Sequence, residues 1–292
     1  MKKYTWHTHK VIKETADAVT IYFDTGAHEI SFQPGQYLNI RLSIEGESLL
    51  RSYSLSSIPA DRYPAITVKR VDGGKMSQYI VGHAANIETW DIEGPFGNFI
   101  LDQETADQSQ IVLLAGGSGI SPLFSMLRSI SGTAHTPLLI YSSKSPEQTI
   151  FFDRLQSMEA DRVLDICCSF TAPEFVSAKM NHIPGRFSPL VLRSVIKRLV
   201  TSLYDSHYYI CGPAALMDLY RDALTGLKVP EENIHMESFN PISAVAVQFE
   251  TDGTAKDVVV NHYEDNYVDE EMQTFECTSL IQVKPGQSLL EA

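Results

Sequence analysis

The stretch LLAGGSGISPLFSML, residues 113–127, is the part of the chain that most constrains the fold. A continuous apolar run that ends in glycines is typical of a buried parallel strand, and a helix-like segment follows it. Gly117 and Gly119 allow the backbone to approach a pyrophosphate closely. Ser121 is placed to cap the helix and Pro122 suits its first position. Pro122 replaces the third glycine or alanine of the G-x-G-x-x-G motif, but the loop still indicates a dinucleotide.

The same rhythm of apolar runs and helix-like segments extends over residues 106–241. Five runs predict strands, namely IVLLAGG, LLIYSS, LDICCSF, HYYICG and NIHMESF. Strands that alternate with helices predict a doubly wound, five-stranded parallel sheet.

Residues 1–105 have a different pattern, in which short apolar runs alternate with turn residues. AVTIYFD, QYLNIRLSI, RSYSLSS and AITVKRV are predicted strands. Many short strands separated by turns predict an antiparallel barrel or sandwich.

Residues 242–292 are expected to be an acidic linker followed by an incomplete further unit. DGTAKDVVVNHYEDNYVDEEMQ is rich in acids and has no helical period, which favours a solvated linker. FECTSLIQVKPGQSLLEA returns to strand-like alternation, and Ser288 with Glu291 forms a capping box that marks the start of a helix.

The composition excludes several classes of function. The formal net charge of −13 argues against a nucleic-acid groove and against a polybasic membrane contact. No apolar run reaches the length of roughly 20 residues that crosses a membrane, and the amino-terminal stretch lacks the apolar region of a signal peptide. The four cysteines match neither a zinc site nor a plant-type iron–sulfur loop, so reduced thiols in a cytoplasmic protein are expected.

Two motifs in the amino-terminal half suit a flavin. On a strand, Arg51 and Tyr53 point one way while Ser52 and Ser54 point the other. A guanidinium binds pyrophosphate and an aromatic side chain covers a flavin ring. VDGGKMSQYI, residues 71–80, places a glycine turn before a short helix, whose amino terminus can hold phosphate. A polar edge strand and an ordinary glycine turn are the alternatives for each motif alone.

Two motifs in the carboxy-terminal half lie at the ends of predicted parallel strands. YYICGPAALMD places the Cys211 thiol at the carboxyl edge of the sheet, where open α/β sheets bind ligands. HMESFNP ends the last strand at the same edge with Glu237 and Phe239. The alternative for Cys211 is a buried thiol at a strand–helix turn.

Taken in order, Arg-x-Tyr-Ser, Gly-x-x-Ser, Gly-Gly-x-Gly-x-x-Pro, Cys-Gly-Pro and Glu-Ser-Phe resemble the ferredoxin–NADP reductase superfamily over residues 4–241. GPFGNF, residues 94–99, resembles the end of its flavin barrel. The resemblance implies FAD in the barrel and NADH or NADPH in the α/β domain. Lys144 and Arg186 are candidates for a 2′-phosphate, whereas SFTAP, residues 169–173, lacks a basic residue, so the choice of coenzyme stays open.

The resemblance also implies roles for individual residues. The expected FAD contacts are Arg51, Ser52, Tyr53, Ser54, Val68, Val71, Gly74, Lys75, Met76, Ser77 and Phe239. The expected NAD(P) contacts are Gly117, Gly119, Ile120, Ser121, Pro122, Ser142, Lys144, Cys211, Gly212, Pro213 and Met217. Ser54, Cys211 and Glu237 are the expected catalytic residues, since nicotinamide C4 must lie about 3–3.5 Å from the flavin N5 nitrogen. No metal ligand is expected.

VKPGQSLLEA resembles part of the plant-type ferredoxin domain that some members of the superfamily carry at the carboxy terminus. We therefore expect a truncated reductase, with a 2Fe–2S cluster only in a fuller chain. The alternative is a natural terminus that ends in an ordinary turn.

The expected function is transfer of single electrons from NAD(P)H through FAD to a ferredoxin-type centre or a partner oxygenase. One alternative is the direct reduction of a small acceptor, such as a free flavin, a ferric chelate or a quinone. The other is a flavin relay subunit that uses no nicotinamide. The acidic segment 264–271 is either a docking surface or solvated linker.

Overall fold

The computed structural model describes residues 3–26, 30–130, 132–172, 181–239, 256–268 and 271–283. It contains an antiparallel sheet, a parallel sheet and a separate hairpin. The predicted fold class, a flavin-type antiparallel barrel followed by a parallel α/β domain, is confirmed. No helix in the described ranges has the length and apolar character needed to span a bilayer.

The amino-terminal domain is a six-stranded antiparallel sheet in the order β4-β3-β6-β1-β2-β5. A bridge between Leu55 and Ile66 joins the two edges of the sheet at one end. Its apolar interior is built around Trp6, Phe23 and Trp90. The elements are β1 (Lys3–Lys13), β2 (Ala18–Asp24), β3 (Tyr37–Ile44), β4 (Glu47–Ser54), β5 (Ala65–Lys69), α1 (Lys75–His83) and β6 (Thr89–Phe96).

The second domain is a parallel sheet in the order β10-β9-β8-β7-β11-β12. It has six strands where five were predicted, because a short strand pairs at the edge beside β9. The elements are α2 (Gln103–Gln108), β7 (Ile111–Gly116), α3 (Ile120–Ser129), β8 (Leu138–Ser143), α4 (Phe152–Ala160), β9 (Asp165–Phe170), β10 (His182–Pro184), α5 (Pro189–Leu199), β11 (His207–Cys211), α6 (Ala214–Gly226) and β12 (Ile234–Glu237).

Every residue of β7 is buried because helices cover both faces of the sheet. Leu113 and Ala115 pack on the side of α3 and α4, while Val112 and Leu114 pack on the side of α5 and α6. The core on the α3 side also contains Ala18 of the barrel. The barrel therefore packs against the α3 side of the parallel sheet.

The strands β13 (Lys256–Val268) and β14 (Glu271–Val283) form an antiparallel hairpin with continuous pairing. The acid-rich stretch predicted to be a linker thus contributes a whole strand, because its backbone pairs with the strand that follows. The predicted turn and helix start at residues 284–292, and the predicted domain boundary at residue 241, lie outside the described residues.

The turn before β3 depends on a close approach between backbones. Gly35 has a φ of +101°, and a Cβ added there would lie 1.9 Å from the carbonyl oxygen of Phe99. Gly46 has a similar φ of +84° but open space around the same position. The two glycines have similar backbone conformations, but only Gly46 has room for a Cβ atom.

We expect Gly35→Ala to lower the free energy of unfolding by about 2–3 kcal/mol more than Gly46→Ala, since overpacking adds to a shared conformational cost. Urea unfolding of both variants measures the difference. Equal losses would show that the contact with Phe99 relaxes freely.

Candidate functional site

The parallel sheet changes winding direction between β7 and β11, which are neighbours in the sheet but not in the chain. Ligands of open α/β sheets bind outside the carboxyl ends of the strands at such a point. The glycine loop leaves β7 here, and Cys-Gly-Pro leaves β11. The structure thus brings the two predicted motifs to one crevice.

Glycines let the backbones of the two motifs touch. A Cβ on Gly119 would lie 2.1 Å from the carbonyl oxygen of Cys211, and one on Gly212 would lie 3.0 Å from the nitrogen of Gly116. Gly117 has a φ of +51°, which favours glycine. A larger residue at Gly119 would push the two loops apart.

Two tyrosines that the sequence analysis did not identify donate hydrogen bonds to backbone carbonyls at the end of β7 and in the glycine loop. The Tyr141 hydroxyl donates to the carbonyl oxygen of Gly117 at 2.9 Å. The Tyr220 hydroxyl donates to the carbonyl oxygen of Ala115 at 3.1 Å and lies 3.1 Å from the hydroxyl of Ser142. The hydroxyl of Ser142, a predicted NAD(P) contact, therefore already has a hydrogen-bond partner in the protein.

The start of α3 differs in detail from the prediction. Gly119 is the N-cap, and Ser121 and Pro122 are the second and third helical residues. A short 3₁₀ turn over Gly117–Gly119 winds the chain before the predicted cap is reached, which is why Ser121 does not cap the helix. Its hydroxyl is instead buried without a partner among the described residues.

Cys211 and Glu237 are register partners on β11 and β12. Burial raises the pKa of the Glu237 carboxyl to about 7. Burial, and then the charge of Glu237, raise the pKa of the Cys211 thiol well above its ordinary value, so this thiol stays protonated. The predicted pair of catalytic side chains lies together at the carboxyl edge of the sheet.

The barrel reaches this edge through Tyr37. Burial, and then the charge of Glu237, raise the pKa of the Tyr37 phenol. Tyr37 is also the register partner of Ser54, and its ring centroid lies 5.8 Å from that of Phe96. Tyr37 thus links the predicted flavin strand with Glu237, a role that only strand register reveals.

On β4, Arg51 and Tyr53 are half-buried and pair with Ile40 and Leu38, whereas Ser54 is buried. Ser52 is exposed, and its hydroxyl donates to Asn39 Oδ1 at 2.7 Å. That Ser52 and Ser54 share one face of the strand stays a prediction, because Ser52 is exposed whereas Ser54 is buried. The Ser52 hydroxyl therefore uses its proton in the hydrogen bond to Asn39 on the exposed face of the sheet.

The N-cap of α1 is Gly74, so no side chain caps this helix. The Ser77 hydroxyl accepts from the Val71 N–H at 3.1 Å and donates to the Gly74 carbonyl at 3.0 Å, so it shapes the turn. The Lys75 ammonium lies 2.9 Å from the carboxylate of Glu47. The turn therefore presents backbone N–H groups, while both predicted side chains have protein partners.

Besides Cys211, several predicted contact residues have side chains packed in a hydrophobic core. Val68 and Met76 lie in the barrel core, while Ile120 and Met217 lie in the cores on either side of the parallel sheet. Each would therefore offer backbone atoms to a ligand.

Other predicted residues lie nearer the surface. Phe239 follows β12 with 42% of its area exposed, and Pro213 is the N-cap of α6. Lys144 and Arg186 are exposed beyond the carboxyl ends of β8 and β10.

Lys69 is a site residue that the sequence did not single out. It ends β5, and its ammonium lies 3.9 Å from the position of a Cβ on Gly117 and 3.7 Å from Asp17 Oδ2. A basic group from the barrel thus faces the open side of the glycine loop. In the sequence, Lys69 is marked only as a charged residue at the end of an apolar strand.

Two buried polar atoms mark a place for a ligand. Glu237 Oε2 and Ser121 Oγ are buried and have no hydrogen-bond partner within the described part of the chain. An unpaired buried polar atom costs about 1–3 kcal/mol, which a bound molecule can offset. Together with the uncapped α1 and the open glycine loop, these atoms fit a flavin and a nicotinamide dinucleotide.

Comparison with protein families agrees with this geometry. Residues 5–100 match the model described as an oxidoreductase FAD-binding domain, and residues 113–222 match an oxidoreductase NAD-binding domain. The chain therefore has the domains that bind FAD and a nicotinamide dinucleotide.

Two curated relatives align over most of the chain. One of the subunits of the 1,2-phenylacetyl-CoA epoxidase of Escherichia coli K12 is 32% identical over 79% of this chain. The ferredoxin reductase component of the 3-ketosteroid-9-alpha-monooxygenase of Mycobacterium tuberculosis H37Rv is 30% identical over 86% of it. The chain spans 66% of the length of the first relative and 71% of the second.

A solved structure shares the fold. The flavohem-like FAD/NAD-binding domain of the nitric oxide dioxygenase from Vibrio cholerae O1 biovar El Tor superposes with a TM-score of 0.70 at 21% identity. The superposition covers 80% of this chain and 98% of that one. At this level of identity the likeness concerns the fold alone.

Gly119→Ala is expected to separate the glycine loop from Cys-Gly-Pro and to weaken nicotinamide binding at least tenfold, with little loss of bound flavin. Gly82→Ala is the matched control, because a Cβ there meets open space. Nucleotide titrations followed by flavin absorbance test this. Unchanged affinity in Gly119→Ala would contradict the requirement for close approach.

The Glu237 carboxyl generates a pH dependence of stability. It keeps its proton in the folded protein up to about pH 7, whereas in the unfolded chain it ionises near its ordinary pKa of 4.5. The folded state binds more protons between these values, so the free energy of unfolding falls as pH rises through this window. Glu237→Gln should therefore be more stable than the unsubstituted protein by about 3 kcal/mol at pH 8 and equally stable near pH 4.

Urea unfolding without added nucleotide, measured from pH 4 to pH 8, gives this profile. Glu104→Gln, at an exposed position in α2, is the control. Parallel profiles for the unsubstituted protein and Glu237→Gln would show that the carboxyl is better solvated than its burial indicates.

Proposed function

The chain belongs to the ferredoxin–NADP reductase superfamily, and from this premise we propose that it oxidises NADH or NADPH and passes electrons singly to a redox partner. FAD, when bound, would supply the change from two-electron to one-electron chemistry. The protein supplies binding, orientation and electrostatics.

One observation carries the proposal. Ser54 of β4 and its register partner Tyr37 of β3 lie at the end of the barrel that meets the sheet edge with Cys211 and Glu237, and the charge of Glu237 acts on Tyr37. Two cofactors held by separate domains can react only where the domains meet. The proximity of Tyr37, the register partner of Ser54, to Glu237, the register partner of Cys211, supports this crevice as the meeting point of the two cofactors.

Each group has a proposed task. Arg51 and the amino terminus of α1 hold the FAD pyrophosphate, since guanidinium and free N–H groups both bind phosphate. Lys69 and the glycine loop hold the nicotinamide dinucleotide. Ser54 orients the flavin ring, and Cys211 excludes water beneath the nicotinamide as a neutral, buried thiol.

Glu237 is the group that can hold or release a proton at the crevice. A carboxyl with a pKa of about 7 changes its protonation near neutral pH, where general acids and bases work best. Its Oε2 atom has no partner among the described residues, so it is available to a ligand.

The electron acceptor is proposed by analogy with the relatives. One is named as a subunit of an epoxidase and the other as the ferredoxin reductase component of a monooxygenase. We propose a ferredoxin-type centre or a partner oxygenase as the acceptor. The proposal includes a cytoplasmic location, which Cys167, Cys168 and Cys211 support as buried free thiols.

The test is a visible spectrum of the protein loaded with FAD, followed by anaerobic titration with NADH and with NADPH. Bleaching of the flavin bands by one nucleotide is expected and identifies the coenzyme. Turnover with a ferredoxin that exceeds turnover with ferricyanide would favour a protein acceptor. Flavin that neither nucleotide bleaches would overturn the proposal.

The variant Arg51→Ala/Tyr53→Ala should lose bound FAD and oxidise NAD(P)H about 10–100-fold more slowly, because it lacks both the phosphate and the ring contacts. Arg41→Ala, which removes an exposed arginine from the neighbouring strand β3, is the control. Comparable activity in the two proteins would rule out the proposed flavin strand.

A further inference from the structure

An ion pair joins the barrel to the α/β domain at the carboxy-terminal end of α3. Arg128 binds Asp61 through two parallel hydrogen bonds, Nη1 to Oδ2 at 2.5 Å and Nη2 to Oδ1 at 2.8 Å. Both side chains are largely buried, with 32% and 24% of their areas exposed. Such a bidentate pair fixes direction as well as distance.

Asp61 also organises the loop that follows the flavin strand. Its Oδ2 atom accepts a second hydrogen bond, from the Ile58 N–H at 3.0 Å. In the same loop the carbonyl oxygen of Ser57 accepts from the Ser125 hydroxyl of α3 at 2.5 Å. Two residues one turn apart on α3 thus hold a loop that begins just after Ser54.

A second ion pair joins Arg154 of α4 to Glu14 of the barrel. The Arg154 guanidinium lies over the ring of Phe151, 4.4 Å from its centroid, and Nη1 donates to the Tyr22 hydroxyl at 3.4 Å. The Glu14 side chain is only 6% exposed. A buried carboxylate of this kind depends on its partners.

Hydroxyl groups connect Glu14 back to the flavin strand. Thr20 donates to Glu14 Oε1 at 2.6 Å, Thr20 and Thr67 lie 2.9 Å apart, and Thr67 lies 2.8 Å from Ser56. A hydroxyl carries one proton, so Thr20, having donated to Glu14, accepts from Thr67, which in turn accepts from Ser56. The chain of donors runs from Ser56, two residues after Ser54, to the domain interface.

The helix α3 transmits the position of the first pair to the nicotinamide loop. All residues from Ile120 to Leu127 are buried, and the helix starts directly after Gly119. Since buried helices are close-packed, a shift at Arg128 moves the glycine loop as well.

We propose that these two ion pairs form an interdomain clamp, Asp61–Arg128 and Glu14–Arg154, that sets the nicotinamide loop against the flavin strand. The four residues are positioning residues for hydride transfer. The inference rests on the proposed function, because only a reaction between cofactors on separate domains needs this alignment. Misplacement by about 1 Å can slow such a reaction 10²-fold.

The test measures the rate of flavin reduction at saturating nucleotide by anaerobic stopped flow, together with the nucleotide dissociation constant. Arg128→Gln and Asp61→Asn are each expected to slow reduction 10–100-fold at saturation and to change the dissociation constant less than threefold. The double variant should be no slower than the slower single variant, because one interaction is lost once. Arg128→Lys keeps the positive charge but cannot make the two parallel hydrogen bonds to Asp61. It should recover part of the rate.

Arg221→Gln is the matched control. It removes an arginine of α6 from its exposed pair with Asp218, and it should reduce flavin at the normal rate. Glu14→Gln tests the second pair by the same readout.

The outcomes separate the clamp from a structural role and from the proposed function. A lower melting temperature with an unchanged saturated rate in the clamp variants would make the pairs structural only and overturn the inference. A loss confined to the dissociation constant would also overturn it. An unsubstituted protein whose flavin is reduced by light and a chemical donor, but by neither nucleotide, would overturn the proposed function and the clamp with it.

Discussion

The close contact between two turns at the end of the parallel sheet is the constraint on which the site depends. A Cβ on Gly119 would overlap the carbonyl oxygen of Cys211 at 2.1 Å, and one on Gly212 would be in tight contact with the nitrogen of Gly116 at 3.0 Å. This contact aligns the amino terminus of α3 with the end of β11, and hence with its neighbour β12. Cys211, Glu237 and the glycine loop face one crevice because the two backbones touch.

The same contact explains the electrostatics of the crevice. Close packing removes water from Cys211 and Glu237, and desolvation raises both of their pKa values. The Cys211 thiol therefore stays neutral and only fills space, whereas the Glu237 carboxyl is close to half-ionised at neutral pH. A protein with a formal net charge of −13 thus keeps an acidic group uncharged over part of the physiological range.

Sequence reasoning found the elements whose signals are local. Apolar runs ending in glycine predicted β7, and the short run RSYSLSS predicted the strand β4, because both patterns depend only on neighbours along the chain. The sequence did not predict the contacts of Tyr37, Lys69 and Tyr141, because these contacts are made across strands and domains. The pairing of β13 with β14 overrode an acidic composition that favoured a linker. For Val68 and Met76, the resemblance predicted contact with the cofactor, but the pattern could not tell backbone contact from side-chain contact, and both side chains lie in the barrel core.

Residues that bind and residues that align leave different traces in a sequence. Binding residues cluster in short motifs because one turn must present several groups to one phosphate or one ring. Aligning residues sit wherever two domains meet: Asp61 and Arg128 are 67 positions apart, and Glu14 and Arg154 are 140 apart. Each is an ordinary charged residue until the fold buries it against its partner. In an enzyme whose cofactors belong to different domains, the rate of reaction then depends on residues that no motif contains.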